Sequence, residues 1–290
     1  MTIAKRIYVI KLPLTLDEYR RGFRYALSKF TTDEVSFIKM DRQRQIDSVT
    51  TETVKVLNLS KRMPYMVRKV IPAAACLVEE FSTNIDTLQF KKGDDKYTHV
   101  HKETKLKQIG KIYRSEEIVD ELNTQVVAES AVAVEPADMK QSLGDESGII
   151  GHYTKTTYKN RHFDEKTFKM RIDTKVCAEN SFKFTGVDAE VEELDFRTFL
   201  KNKVVKVGEN DYSGDYEKKY GAVYVFKYVE IELNSMVLGW IAKEILKVLR
   251  NNIVEIQQDI VKYRDKWIEM SEEELEKMEK DVVEKFMKNV

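Results

Sequence analysis

The sequence predicts an α+β protein in which an antiparallel sheet packs against long helices. Segments with an apolar residue at every second position recur up to residue 233, and this period is typical of strands with one buried face. From residue 237 onward the apolar residues follow the helical period instead. Because the strands come in runs and the long helices follow them, the order favours segregated strands and helices over alternating βαβ units.

The clearest strands are two segments in which apolar side chains take alternate positions. In residues 167–174 three large apolar residues alternate with charged ones. In residues 222–233 nearly every second position is valine, isoleucine or leucine. The first segment is expected to form a hairpin with residues 154–160. We predict further strands at residues 5–12, 35–40, 52–59 and 75–81, and a short helix at residues 65–70.

Two capping boxes mark the starts of helices. Thr15 with Glu18 begins a helix that extends to about residue 30, and Ser271 with Glu274 begins the last helix. Before that last helix, residues 237–264 form a long amphipathic helix with isoleucine, leucine and valine on one face.

One segment, residues 85–148, differs from the rest in composition. It is basic in its first half and then acidic, rich in alanine and valine, and without an aromatic residue from 115 to 147. The chain has 290 residues, 42% of them apolar, which is enough for one large core. We therefore expect a single domain, residues 1–290, with an insertion at about 85–148.

Charge and cysteine content exclude several classes of function. Basic and acidic residues number 49 each, so the net charge of zero provides no global attraction to nucleic acid. Cys76 and Cys177 form no Cys-x-x-Cys pair, which argues against a zinc site or a disulfide framework and favours a reducing compartment. His99 and His101 could ligate a metal from one strand face, but two solvated histidines in a basic loop explain them better.

Motifs for phosphate loops, dinucleotide binding, zinc proteases and serine hydrolases do not occur in the sequence. No apolar stretch reaches the roughly 18 residues of a membrane span. The residues at positions 1–12 alternate and do not form the continuous apolar block of a signal peptide. We expect a soluble, cytoplasmic protein without a cofactor or catalytic side chains.

Polar side chains fall on otherwise apolar strand faces in two predicted strands. Thr53 and Lys55 share a face in residues 52–59, and Glu80 and Asn84 share a face in the strand that follows. A buried lysine or carboxylate is costly unless it is paired or bonded to a ligand. The alternative is a sheet with one solvated face, and the pattern alone does not exclude it.

The turn before the long helix contains three consecutive apolar residues, Met236, Val237 and Leu238. An exposed apolar turn can insert into a membrane. The same residues could equally pack into the core of the protein.

Several stretches of the chain resemble the phosphatidylinositol transfer proteins, in the class with an independent lipid-transfer domain. YVIKLPLTLDEY at residues 8–19 resembles the family's opening strand and first helix, and LSKRMP at 59–64 resembles the segment after its third strand. YTKT at 153–156 resembles the central hairpin, and DKW at 265–267 resembles the C-terminal end. The matches follow the family's order over nearly the whole chain.

This resemblance implies a helix-grip (START-like) fold, in which a curved antiparallel β-sheet encloses a lipid cavity closed by long helices. Family members bind one phospholipid, phosphatidylinositol or phosphatidylcholine, and exchange it between membranes. The head-group contacts that the resemblance implies fall on Thr53, Lys55, Glu80 and Asn84. Thr156 of the central hairpin is a further candidate ligand residue.

The resemblance also implies a monomer that associates transiently with a membrane surface. The tryptophan pair that enters membranes in animal relatives is replaced here, so the candidate membrane contacts are Met236, Val237, Leu238 and Trp240. The last helix, residues 272–287, is expected to act as the lid. The chain departs from the family in two further places: a long insertion follows Asn84, and Thr154 replaces the family's cysteine near the head group.

Three other readings stay open. A helix-grip carrier could hold a sterol or phosphatidylcholine alone, although Thr53 and Lys55 would have no phosphate to meet in a sterol complex. An adaptor could use the basic part of the insertion to bind anionic membranes or a protein without transferring lipid. A hydrolase on the same fold would need a nucleophile and a base, and the sequence offers no evident pair.

Overall fold

A computed structural model describes residues 2–31, 34–44, 48–63, 65–87, 150–178, 180, 183–184, 186–199, 206–207, 210–212, 215–234 and 239–287. The chain divides into two compact units. The first comprises Met1–Leu88, Gly148–Phe182 and Asp188–Val290, and the second comprises Gln89–Ser147 and Lys183–Val187. The elements below belong to the first unit. The single domain with an insertion stays a prediction, since most of the predicted insertion lies outside the described residues.

The first unit is built on a sheet of eight strands in the order β2-β3-β4-β5-β6-β10-β1-β7. The strands are β1 (Thr2–Leu12), β2 (Val35–Arg44), β3 (Ser48–Asn58), β4 (Leu77–Thr87), β5 (Ile150–Asn160), β6 (Phe168–Cys177), β7 (Glu190–Asp195) and β10 (Val223–Leu233). A separate pair, β8 (Lys206–Val207) and β9 (Asn210–Asp211), is antiparallel. With the helices that pack on it, this sheet confirms the predicted α+β class.

The prediction of an entirely antiparallel sheet is wrong at one edge. Strand β7 pairs in parallel with β1, so the sheet is mixed. The sequence analysis did not predict β7 because four of its six residues are acidic. At the edge of the sheet these side chains stay accessible and find basic partners: Glu190 contacts Arg6 at 2.7 Å, and Glu192 contacts Arg250 at 2.6 Å.

The described helices are α1 (Leu16–Phe30), α2 (Tyr65–Val70), α3 (Tyr216–Tyr220), α4 (Gly239–Lys262), α5 (Arg264–Trp267) and α6 (Glu272–Phe286). Both predicted capping boxes are confirmed. Thr15 and Ser271 each accept a hydrogen bond from the backbone N–H of the glutamate three residues later, and that glutamate accepts one in return.

Two predicted boundaries need correction. The long helix ends at Lys262, and a short helix α5 follows it. Residues Ala73–Cys76 form a 3-10 turn after Pro72, so the strand expected from residue 75 begins at Leu77. Pro72 has no N–H to donate to a strand, but its carbonyl accepts a hydrogen bond from Ala75 at 2.9 Å and closes the turn.

Helices α1, α4 and α5 pack together in the core beside the sheet. Trp267 of α5 is fully buried, and its indole N–H donates to the carbonyl of Ile260 at 2.8 Å. Gly22 of α1 lies directly against both residues, because a Cβ atom at this position would be 2.7 Å from the Ile260 and Trp267 side chains. The absence of a side chain at Gly22 therefore sets how closely α1 approaches α4 and α5.

Helix α6 lies apart from that junction, against α1 and β2. Its residues Leu275 and Val283 are buried, and the remainder of the helix is more accessible. The chain after α6 reaches the edge of the sheet, where Met287 forms a parallel backbone bridge with Phe37 of β2.

We expect Gly22→Ala to destabilise the protein by about 1–2 kcal/mol. Overpacking costs about 1–3 kcal/mol, and the higher helix propensity of alanine offsets part of that cost. Gly151→Ala is the matched control, since the three atoms nearest to its added Cβ would all belong to the flexible Leu16 side chain and none to a rigid ring. Urea unfolding of both variants measures the difference. A Gly22→Ala protein as stable as the wild type would mean that α1 can shift away from Trp267 without loss.

Candidate functional site

The face of the sheet that contacts α1 and α4, here called the inner face, carries a line of polar residues. The strand register places one such residue opposite the next on six consecutive strands. We call these six residues the polar row. It consists of Arg42, Thr51, Asn84, Thr154, Thr174 and Lys227, on β2, β3, β4, β5, β6 and β10 in that order.

The five residues expected to contact a head group all lie on the inner face, on β3, β4 and β5. Lys55 and Glu80 are cross-strand neighbours and form an ion pair, with Nζ 3.2 Å from Oε1. Thr156 shares a hydrogen bond of 3.2 Å with the hydroxyl of Ser82, and Ser82 is paired with Thr53. The inward orientation that the period of two predicted for β3 and β4 is therefore present in the fold.

Three of these five residues line a cavity of about 100 Å³ between the sheet, α1 and α6. A cavity of this volume holds a few water molecules and is much smaller than a phospholipid. Glu80 and Thr156 do not line it: Glu80 pairs with Lys55, which does, and Thr156 bonds to Ser82, which does not. The lining comprises Thr53, Lys55 and Asn84 together with Phe23, Arg24, Leu27, Ser28, Thr31, Phe37, Met40, Arg42, Thr51, Asp86, His152, Glu279, Val282 and Val283.

The hydroxyl of Thr53 is buried and has no hydrogen-bond partner among the described residues. Leaving a buried hydroxyl unpaired costs about 1–3 kcal/mol, and native structures contain few such groups. Since Thr53 borders the cavity, a polar group placed there could satisfy it.

Asp86, His152, Thr154 and Asn84 form a chain of hydrogen bonds across β4 and β5. Asp86 Oδ1 lies 2.6 Å from His152 Nδ1, and His152 Nε2 lies 2.8 Å from the Thr154 hydroxyl. Thr154 donates its only proton to Asn84 Oδ1 at 2.8 Å. It then accepts from His152 Nε2, and Nδ1 on the other side of the ring lies against the Asp86 carboxylate.

This chain has the order of a carboxylate, an imidazole and a hydroxyl, which the sequence analysis did not find. A hydrolase would need the imidazole to take the hydroxyl proton. Here that proton goes to Asn84 and the ring already donates from Nε2, so the arrangement orients Asn84 toward the cavity and does not activate Thr154.

Two arginines and a glutamate of α6, which the sequence analysis also missed, close the cavity on the side of β2. Arg24 of α1 donates two hydrogen bonds to Glu279, at 2.9 and 2.8 Å, and Arg42 of β2 forms an ion pair with the same carboxylate at 2.8 Å. Burial lowers the pKa of Arg24, but the bonds and charges of Glu279 and Glu272 outweigh it and raise that pKa above its ordinary value. The guanidinium therefore stays charged.

Comparison with known families decides the class of the protein. The family described as phosphatidylinositol transfer protein matches residues 3–99 and 187–284. The chain belongs to this family. A search of individually curated proteins found no match.

Membership in the phosphatidylinositol transfer protein family gives this chain a general role in lipid transfer. The matched ranges contain Thr53, Lys55, Glu80 and Asn84, and also Glu279 of α6. Thr156 lies between the two ranges. Within the described residues, no group of histidine, cysteine and acidic side chains could hold a metal ion, and no helix combines the length and apolar character needed to cross a membrane.

The candidate membrane contacts of this family member are only partly described. Met236, Val237 and Leu238 lie outside the described residues. Trp240 lies in the first turn of α4 and is 43% exposed, which is unusual for the largest apolar side chain.

Lys227 of β10 is the most unusual member of the polar row. It lies between Val225 and Val229, both fully buried, and its Nζ donates to the Thr174 hydroxyl at 2.8 Å. Burial lowers the pKa of its ammonium to about 8, and no charged group among the described residues offsets this effect. The signal was available in the sequence, because position 227 falls on the same face as the valines of this strand.

Replacing Lys227 with Met should remove a pH dependence of stability. The folded-state pKa of Lys227 is below its ordinary value, so the folded protein binds fewer protons than the unfolded chain above about pH 8. Stability should then rise by roughly 1–2 kcal/mol between pH 8 and 9.5 in the wild type. Urea unfolding at several pH values measures it. An equal rise in Lys227→Met would assign the effect to another group.

Proposed function

We propose that this protein binds one phospholipid, phosphatidylinositol and also phosphatidylcholine, and exchanges it between membranes. The observation that carries the proposal is the convergence of Thr53, Lys55 and Asn84 on a cavity that the last helix closes. These residues come from two strands and combine a hydroxyl, an ammonium and an amide. That set can hydrogen-bond a polyhydroxylated ring from several directions.

The polar row suggests how the head group lies in the site. Neighbouring strands are about 4.8 Å apart, so the distance from Asn84 on β4 to Thr174 on β6 is about 10 Å. An inositol ring over β3 and β4 would leave its phosphate near Thr174 and Lys227. The head group would thus extend across the strands, and the fatty acyl chains would leave it along the apolar part of the inner face.

The phosphate would neutralise the buried positive charge of Lys227. A buried ammonium is costly when no anion is near it, and a phosphodiester supplies one negative charge and two strong acceptor oxygens. Thr174 and Thr156 could donate further hydrogen bonds to the same group. Both phosphatidylinositol and phosphatidylcholine carry this phosphodiester, so this part of the site would accept either lipid.

The ring-binding part of the site would distinguish the two lipids. Inositol hydroxyls can accept from Lys55 and Thr53 and donate to Glu80, whereas a choline group offers no donor or acceptor. A site built to hydrogen-bond a ligand rejects an analogue without those groups, because its own polar atoms stay unpaired. The orphaned hydroxyl of Thr53 is one such atom.

The fatty acyl chains require the helices to move from the sheet. A phospholipid exposes on the order of 30 methylene groups, and their transfer through water uncovered would cost about 20–25 kcal/mol at 0.8 kcal/mol each. The cavity of about 100 Å³ cannot enclose them. Helix α6 is the element best suited to move, because its residues Val282 and Val283 border the cavity and could exchange one apolar partner for another.

An adaptor that binds membranes without carrying lipid is the main competitor. We expect native mass spectrometry of the purified protein to find one phospholipid per chain, and organic extraction to recover it in stoichiometric amount. Incubation with liposomes should exchange it. A chain that neither contains phospholipid nor takes it up from liposomes would favour the adaptor.

We expect Lys55→Ala and Thr53→Ala to reduce phosphatidylinositol transfer more than phosphatidylcholine transfer. A buried charge-assisted hydrogen bond from Lys55 is worth roughly 1.5–3 kcal/mol, or about a tenfold to hundredfold effect. Lys159→Ala is the matched control, since Lys159 also forms an ion pair but with Glu165, away from the cavity. Equal losses for both lipids would mean that the two residues stabilise the fold and do not bind the inositol ring.

The turn before α4 is the proposed membrane contact, together with the exposed Trp240. Replacing Met236, Val237 and Leu238 with serine should slow transfer several-fold and leave bound lipid and thermal stability nearly unchanged. Aliphatic side chains anchor less well than tryptophan in the interfacial layer, so binding should be weak. A large fall in melting temperature would instead place the three residues in the core.

A further inference from the structure

The mouth of the cavity contains a pair of guanidinium groups that converge on one carboxylate. Arg24 comes from α1 and Arg42 from β2, yet both form ion pairs with Glu279 of α6, and Arg24 also donates two hydrogen bonds to it. The side chains of Arg24 and Glu279 are each 12% exposed and that of Arg42 is 21% exposed. Arg42 also donates from Nε to Thr51 at 3.2 Å, which fixes its orientation toward the helix.

The same two arginines contact further glutamates on this face of α6. Arg24 forms an ion pair with Glu272, and Arg42 Nη1 lies 3.8 Å from Glu276 Oε1. Glu272, Glu276 and Glu279 are spaced four and three residues apart, which places them on one face of the helix. Among the described residues, α6 is thus tied by charge to α1 and to β2 through these two arginines.

We propose that Arg24 and Arg42 form a binding site for the phosphate monoester of a membrane lipid, which Glu279 occupies while α6 is closed. A monoester lipid presented by the membrane takes the two guanidinium groups, Glu279 leaves, and α6 separates from β2. This inference rests on the proposed function, because it supplies the event that opens the cavity.

Charge and geometry select a monoester over other anionic groups. The Glu279 carboxylate has one charge and two oxygens, and it already accepts two hydrogen bonds from Arg24 and forms an ion pair with Arg42. A phosphodiester also has one charge and two free oxygens, so it offers the arginines no more than Glu279 does. A phosphate monoester carries a charge of about −1.5 to −2 and has three terminal oxygens. It can therefore accept more hydrogen bonds from the two guanidinium groups than a carboxylate can.

The test follows the separation of α6 from β2 in the full chain. One label on a cysteine at Lys280 and another at Lys39 report the distance between the two elements, since both positions are exposed and outside the arginine cluster. The vesicles are phosphatidylcholine alone, phosphatidylcholine with phosphatidic acid, and phosphatidylcholine with phosphatidylglycerol at the same surface charge. A fourth sample adds inorganic phosphate to the phosphatidylcholine vesicles.

We expect phosphatidic acid to increase the open fraction several-fold, and phosphatidylglycerol and inorganic phosphate to have little effect. Equal opening with phosphatidylglycerol would overturn the selection of a monoester, and equal opening with inorganic phosphate would overturn a membrane source. Phosphatidylinositol transfer between phosphatidylcholine vesicles is measured in parallel. Normal transfer without a response to phosphatidic acid rejects this inference alone, whereas no transfer rejects the proposed function.

Variants distinguish the arginine pair from general membrane binding. Arg24→Gln with Arg42→Gln should open more readily and no longer respond to phosphatidic acid, and Glu279→Gln should open at a lower fraction of phosphatidic acid. Arg24→Lys keeps the positive charge but lacks the planar guanidinium group. It replaces the double variant if that protein does not fold, and its response to phosphatidic acid should fall several-fold. Arg250→Gln, which breaks the ion pair with Glu192 on β7, is the control and should respond as the wild type does. An unaltered response in the arginine variants would overturn the proposal.

Discussion

The register between neighbouring strands is the constraint on which the site depends. Asn84 pairs with Thr51 on one side and with Thr154 on the other, and Lys227 pairs with Thr174. Because side chains alternate between the faces of a sheet, a slip of one residue in any strand would turn its polar group away from the helices. The row thus exists only because six strands, formed by distant parts of the chain, hold one alignment.

The same alignment relates the cavity to the helix that covers it. Arg42 is the first member of the polar row and also contacts Glu279 of α6, so one side chain belongs both to the sheet surface and to the cover. The cavity is therefore bordered by groups of two kinds. Thr53 and Lys55 are held by the sheet, whereas Glu279 is held by α6.

The sequence predicted those features that depend on residues close together in the chain, such as the alternation of side chains along a strand. Thr53 and Lys55 stood out because a strand places every second residue on one face, and both capping boxes were readable from four residues each. Lys227 could have been found by the same reasoning, since it interrupts a run of buried valines on its face. The strand β7 could not, because its acidic residues lack the apolar alternation of a buried face.

Contacts between residues that are far apart in the sequence leave no periodic pattern from which they could be predicted. Arg24 and Glu279 are separated by 255 positions, and each looks like an ordinary solvated charge on a helix. Asp86 and His152 are 66 positions apart, one near the end of β4 and the other near the start of β5. Such pairs depend on the packing of α6 against α1 and on the pairing of β4 with β5, which a single sequence does not specify residue by residue.

The bridge between Met287 and Phe37 has a consequence for the behaviour of β2 at the rim of the sheet. An uncovered edge strand presents free N–H and C=O groups that a second chain can join by adding a strand of its own. If α6 moved away as proposed, this bridge would be lost and more of the edge would become accessible. Lys39 and Gln43 are exposed along β2 and Asp41 is partly exposed, so polar and charged groups line the strand where it would be approached. Removing water from these polar groups would cost free energy and would disfavour edge-to-edge pairing, so the rim would self-associate less while it was uncovered.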